Sequence, residues 1–330
     1  MLHNHAANGT TAPGDPNGAV VDTALCTPSS PTLRQVCLEL QAKVDSFLTE
    51  DVDTGLLRGL QAQVKDAMGV IDEALERYSI EELSLSYNGG KDCLVLLVLI
   101  LACLPRHYES TATAACPSSS SAPSDSLSAT TIPNNKHHQN NISNKNNLTS
   151  QIPTNTPAAP TPVRPGTPKP FPSTLQSVYI VSPSPFAEVD AFVGESVARY
   201  HLELCRYGLP MRAALGAYLE ERPRLRAVFV GTRRTDPHGA ALAHFDPTDA
   251  GWPAFVRVHP VIDWHYAEIW AFIRHLGIPY LSLYDQGYTS LGGTKDTHPN
   301  PLLKRADDAE GFRPAYELLE DNEERLGRDR

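Results

Sequence analysis

Ser86-Tyr87-Asn88-Gly89-Gly90-Lys91-Asp92-Cys93 joins a short apolar stretch, Leu83–Tyr87, to a continuous apolar run, Asp92–Leu104. That order predicts a strand, a tight turn and a helix. Paired glycines let the backbone turn sharply and bring N–H groups against an anion, and the following helix adds its positive end. Two familiar phosphate loops do not fit. A Walker A loop needs Gly, four residues, then Gly-Lys and Ser or Thr; here Asp92 follows Lys91, and Leu85 stands where the first Gly belongs. A GxGxxG fingerprint is absent. Gly-Gly alone is an ordinary turn. Strand before, helix after and SxNGGKD between them point to a phosphate-binding loop.

Outward from this loop the pattern alternates. Val178–Ser182 reads as a strand, Ala187–Tyr200 as a helix and Leu202–Cys205 as a short strand. A helix follows Pro210 to about Glu221, then strands at Ala227–Gly231 and Arg257–Pro260. His265–Leu276 is amphipathic, with Trp270, Ile273 and Leu276 on its buried side. Upstream, helical apolar spacing from Leu33 to Tyr78 predicts two added N-terminal helices. The expected fold is α/β, a doubly wound and mainly parallel sheet with helices on both faces. Ligands of such sheets bind beyond the carboxyl ends of the strands, where the motifs fall.

Composition sets the boundaries. Residues 1–31 are rich in Ala, Asn, Gly, Thr and Pro and read as a disordered tail. Residues 32–330 read as one domain, its N-terminal helices within 32–78. No aromatic residue stands between Tyr108 and Phe171, where Ser, Thr, Asn and Pro dominate. Such a segment cannot bury enough apolar area to offset its ordering entropy, so 109–174 reads as a disordered low-complexity insertion. It is tolerable because closure entropy grows only logarithmically with loop length. His137 and His138 inside it read as solvated loop residues.

The 28 Lys and Arg against 38 Asp and Glu give a net charge near −10, which argues against a nucleic-acid-binding surface. The six cysteines form no CxxC pair, and the first twenty residues lack a signal peptide's pattern. Reduced thiols and a cytoplasmic location are expected. The longest apolar run, Cys93–Leu104, is 12 residues, short of the ~20 a bilayer needs, so no membrane span is expected.

A second group of polar residues follows the strand at Ala227–Gly231: Thr232-Arg233-Arg234-Thr235-Asp236-Pro237-His238. Arg233 and Arg234 at a strand's carboxyl end suit a polyphosphate, and Asp236 could orient an arginine or help hold Mg²⁺. A salt-bridged turn is the alternative. Further on, Asp and Arg interleave with aromatic residues on loops, in PTDAGWP (247–253), RVHPVIDW (257–264) and LYDQGYTSLGG (283–293). That mixture suits a flat heterocycle needing stacking and a few polar contacts. Trp270, within a helix, reads as core, and Trp252, between Gly251 and Pro253, as functional.

SYNGGKDC resembles the SGGKDS signature of the PP-loop ATP pyrophosphatases, with Asn88 and Cys93 as departures. With GTRRTDPH, PTDAGWP, RVHPVIDW and LYDQGYTSLGG in this order, the chain resembles the eukaryotic FAD synthases (FMN adenylyltransferases) of the phosphoadenylylsulfate reductase-like group. The resemblance covers about Leu83–Leu104 and Val178–Arg328. It implies adenylyl transfer from ATP to FMN, giving FAD and pyrophosphate with Mg²⁺. Ser86, Tyr87, Asn88, Gly89, Gly90, Lys91 and Asp92 would surround ATP, with Arg233 and Arg234 adding charge. Asp236 would be a second essential acid, and Asp92 and Asp236 the candidate metal ligands. Asp249, Trp252 and Arg257 would contact the flavin. Arg325 and Arg328, three apart and so expected on one helix face, would reach the phosphates.

The rival activities are weaker. A phosphoadenylylsulfate reductase needs a cysteine near its C-terminus, and none follows Cys205. Thiolating members of the superfamily carry CxxC pairs. A non-catalytic flavin- or nucleotide-binding regulator is the reading from another class, discriminated by binding without turnover. A monomer is expected, able to pass FAD to apo-flavoproteins, although the sequence itself is silent on oligomeric state. Family members sometimes carry an additional N-terminal hydrolase-like domain, for which residues 1–82 are too short; a single-activity form is expected.

Overall fold

The computed structural model describes residues 20–23, 30–108, 169–306 and 311–329. Most of the expected tail and insertion, with His137 and His138, lies outside them. The chain begins with strand β1 (Val20–Thr23), helices α1 (Leu33–Thr49) and α2 (Gly55–Arg77), strand β2 (Leu83–Ser86) and helix α3 (Lys91–His107). After the insertion come β3 (Leu175–Ile180), α4 (Ala187–Tyr200), β4 (Leu202–Tyr207), α5 (Met211–Glu221) and β5 (Ala227–Phe229). Strands β6 (Phe245–Pro247) and β7 (Val256–Val258) and helix α6 (Tyr266–His275) follow, and short 3₁₀ turns complete the chain.

The sheet runs β1-β4-β3-β2-β5-β7-β6. Its five inner strands are parallel, and β1 and β6 pair antiparallel at the edges. Side chains of the inner strands alternate between two cores. Leu83, Leu85, Leu175, Tyr179, Leu202, Leu204, Ala227 and Phe229 face the larger core, with α1–α4 and α6. Val178, Cys205, Tyr207 and Val228 face a smaller one, against Ala214, Ala217 and Tyr218 of α5. Helices on both faces of a mainly parallel sheet are what the alternation predicted.

The continuous apolar run is explained by depth. From Cys93 to Leu104 every residue of α3 is buried, because α1, α2 and α6 cover the side turned from the sheet. Thr32 and Gln35 form a capping box that starts α1.

Three expectations need correction. Val20–Thr23, inside the expected tail, forms an edge strand on β4, held by main-chain pairing that needs no apolar pattern. The insertion returns to described structure by Lys169, ahead of 174. Phe171 packs on the core and meets Tyr108 edge-on, ring centroids 6.2 Å apart, so the chain comes back beside its point of departure. Strand β6 went unrecognised, since Phe245-Asp246-Pro247 carries no alternation; its pairing with β7 makes it a strand.

Candidate active site

At the carboxyl end of β2 the chain turns through Tyr87–Gly90 into α3. Gly89 has φ +76°, and a Cβ there would lie 2.9 Å from Cγ2 of Val193 on α4, so both conformation and space call for glycine. The loop and the start of α3 border a cleft of about 240 Å³. Asp236 and Gly231 border it from the loop after β5, Ser290 and Leu291 from the segment before the C-terminal turn, and Glu324 and Arg325 from that turn.

Buried charge fastens these pieces together. Lys91 is buried, its Nζ 3.0 Å from Asp92 Oδ2 and bonded to Glu324. Burial alone would lower its pKa, but the two carboxylates raise it, so it stays protonated. Arg233 is fully buried, Nε 2.8 Å from Asp92 Oδ1, and it pairs with Glu324 and, at 3.4 Å, with Asp321. Burial opposes the charge of Asp92, yet Lys91 and Arg233 hold its carboxyl below the usual range. Asp236 Oδ2 accepts from the backbone N–H of Arg233 at 2.8 Å and shapes the turn.

Two side chains expected around ATP face elsewhere. Tyr87 follows Leu83 and Leu85 on the core face of β2 and donates from its hydroxyl to Ser196 Oγ at 2.8 Å. Arg234 turns outward to Asp263 at 2.5 Å and to the carbonyls of Ala240 and Leu242. Two more, Lys91 and Arg233, are enclosed in ion pairs. Ser86, Asn88, Gly90, Lys91, Asp92, Asp236 and Arg325 do border the cleft together. Arg325 is exposed, and among the described residues it has no acidic partner within 4.0 Å.

The C-terminal arginines are not on an α-helix. A 3₁₀ turn, Asp321–Glu323, leads into hydrogen-bonded turns, and Gly327 and Arg328 lie against His298 and Thr297. Arg328 pairs with Asp296 at 3.3 Å, and its guanidinium lies on Gly292, where a Cβ would be 2.1 Å from Nη2.

Several residues hold the site in a role that the sequence reading did not give them. Tyr284 is buried and accepts the backbone N–H of Lys91 on its hydroxyl at 2.9 Å. Thr289 donates to the Glu324 carbonyl at 2.6 Å, and Asn300 donates to Thr289 and to the Glu323 carbonyl. Thr289, within LYDQGYTSLGG, and Asn300 therefore anchor the turn that carries Glu324 and Arg325. Asp321 bonds the backbone N–H of Tyr266 and the ring of His265, both at 2.6 Å.

Asp249, Trp252 and Arg257 gather at the β6–β7 hairpin. Arg257 lies 3.5 Å from Asp249 and donates to the Pro247 carbonyl at 3.0 Å. Trp252 is 39% exposed, whereas Trp264 and Trp270 are buried core residues. The hairpin loop lies along α5, Pro253 near Gly216 and Gly251 near Arg212.

A family model described as a phosphoadenosine phosphosulfate reductase domain matches residues 209–299. Over 285 residues the chain is 33% identical to a probable FAD synthase of Schizosaccharomyces pombe, covering 86% of each chain. It is 28% identical over 294 residues to a probable FAD synthase of Caenorhabditis elegans; that stretch is 88% of this chain and 45% of the longer nematode protein. The fold is similar to that of Candida glabrata FMN adenylyltransferase, solved with FMN and the ATP analogue AMPCPP. That superposition has a TM-score of 0.69 at 24% identity and covers 90% of this chain and all of the other.

Proposed function

The chain belongs to the FAD synthase family, and from that premise we propose that it transfers the adenylyl group of ATP to the 5′-phosphate of FMN, releasing FAD and pyrophosphate. A phosphate monoester is largely dianionic at neutral pH, its second pKa being about 6, so its oxygen can attack the α-phosphorus without a general base. The difficulty is to bring two polyanions together in line, which positioning and charge neutralisation address.

The observation that carries this reading is the C-terminal turn closing over the phosphate loop. It sets the guanidinium of Arg325, without an acidic partner among the described residues, on the border of the same cleft as Asn88 and Asp92. In this role Arg325 offsets charge on the α-phosphate, while Ser86, Asn88, Gly89 and Gly90 hold the leaving pyrophosphate. Lys91 and Arg233 act indirectly, by fixing Asp92. Arg328 fixes the turn. Asp249, Trp252 and Arg257 serve the isoalloxazine ring.

Among the described residues no group of three or more His, Cys, Asp and Glu is arranged to hold a metal ion. We therefore place Mg²⁺ on the nucleotide, where it would neutralise phosphate charge. Asp92 and Asp236 are the acids that border its approach, Asp92 held by Lys91 and Arg233 and Asp236 Oδ1 3.9 Å from the Arg233 guanidinium. Among the described residues no helix is long and apolar enough to cross a membrane. The same reading takes residues 32–330 as one catalytic domain of a monomeric, cytoplasmic enzyme whose FAD passes to apo-flavoproteins.

The test is a chromatographic assay of purified protein with ATP, Mg²⁺ and FMN. Stoichiometric FAD and pyrophosphate, lost in Asp92→Ala, are expected. Binding of FMN and ATP without FAD would overturn the synthase reading in favour of a regulator.

A further inference from the structure

The side chain of Asn88 has a direction that its neighbours fix. Its Oδ1 lies 2.9 Å from the backbone N of Gly90 and 2.9 Å from Sγ of Cys93. A backbone N–H can only donate, so the atom opposite it is the amide oxygen and not the amide nitrogen. The oxygen is thereby occupied from two sides. The nitrogen, Nδ2, is left as the polar group of this exposed side chain, which borders the cleft, and among the described residues it has no partner.

The thiol has one proton and two acceptors in reach, Asn88 Oδ1 at 2.9 Å and the Gly90 carbonyl at 3.1 Å. The carbonyl already accepts the N–H of Leu94 at 3.0 Å. A proton turned toward it would leave sulfur lone pairs facing the amide oxygen across the shorter gap. Donation to Asn88 avoids that repulsion. An ordinary thiol has a pKa of about 8.5, so the proton is present at neutral pH.

We propose that Cys93 is a positioning residue which, with the Gly90 N–H, turns Asn88 into a hydrogen-bond donor aimed at the nucleotide phosphates. The proposal rests on the ATP-dependent function above. An unrestrained asparagine could present either end of its amide, and the oxygen would repel a phosphate. Cys93 is held in the first turn of α3, at the border of the cleft, so its sulfur offers Asn88 a fixed donor. The thiol thus acts as a neutral hydrogen-bonding group.

ATP affinity is the readout, because it needs no turnover. Titrations of the full chain with Mg·ATP should show Cys93→Ala binding about tenfold more weakly, the worth of roughly one hydrogen bond. Cys93→Ser, which keeps an O–H donor, should recover to within about threefold of wild type. Cys93→Val fills the space without donating and should resemble Cys93→Ala. Asn88→Ala should also weaken binding, and adding Cys93→Ala to it should cost little more. Wild-type affinity in Cys93→Ala, recovery by Val instead of Ser, or full additivity with Asn88→Ala would each overturn the proposal. The titrations decide the point even if the wild type yields no FAD, an outcome that overturns the synthase reading alone.

Discussion

Arg233 lies with Nε 2.8 Å from Asp92 Oδ1, its side chain fully buried, and so ties the loop after β5 to the first turn of α3. An arginine placed by sequence at a strand's carboxyl end is here an internal fastener between two cleft walls. Removing one member of a buried pair leaves the other charge uncompensated, at a cost of about 3–5 kcal/mol. Arg233→Met should therefore lower the denaturant midpoint sharply, since both Asp92 and Glu324 lose a partner. Arg234→Ala, which breaks an exposed pair with Asp263, should leave the midpoint close to that of wild type. Equal midpoints for the two variants would contradict this assignment.

Arg325 and Arg328 should separate in the same way. Arg325→Ala is expected to cut kcat by about a hundredfold or more with the thermal midpoint unchanged, the signature of a lost charge-stabilising donor. Arg328→Ala should lower the midpoint as well, because its guanidinium holds Asp296 and lies on Gly292. Steady-state kinetics paired with thermal melts distinguish them.

His259 supplies a pH dependence of stability. Its ring is buried, with neither nitrogen hydrogen-bonded among the described residues, near Arg257, Asp246, His244 and the Val230 backbone. Burial, with Arg257 second, depresses its pKa from 6.5 to about 4, so the folded chain keeps it neutral. The unfolded chain takes up the proton first as pH falls through 6.5. The contribution is thus complete above that pH and lost progressively down to about 4, amounting to roughly 3 kcal/mol. Unfolding free energies of His259→Gln should fall less steeply than wild type across this window. An identical slope would remove His259 from the account.

Trp252→Ala should weaken FMN binding about five- to tenfold, the worth of an aromatic contact, and leave the thermal midpoint alone. Its 39% exposure makes a core role untenable, in contrast to Trp264 and Trp270. Fluorescence titration with FMN measures the first quantity. Unaltered affinity would move flavin recognition away from this hairpin.

The order of strands and helices was readable because alternation and helical spacing report burial, and α4 begins and ends where its spacing predicts. The same rule bears on Tyr87. Leu83, Leu85 and Tyr87 are two apart, so strand periodicity alone sends the tyrosine to the core, and only its place in the loop motif suggested otherwise. Glu324, Tyr284, Thr289 and Asn300 were not legible, since their partners are distant in sequence: 233 residues separate Glu324 from Lys91. Nor could spacing foresee that the segment around Gly327 forms turns instead of a helix. Periodicity reports which side of an element meets the core, not which buried acid meets which base.

The Tyr108–Phe171 contact carries a consequence for engineering. Chain exit and re-entry lie side by side at the end of α3 opposite its phosphate loop, so this point is a natural splice site. A short linker, or a reporter domain with adjacent termini, could replace residues 109–168 with both rings left as a gatepost pair. Tethering or labelling there would leave the cleft at the far end of the helix unobstructed.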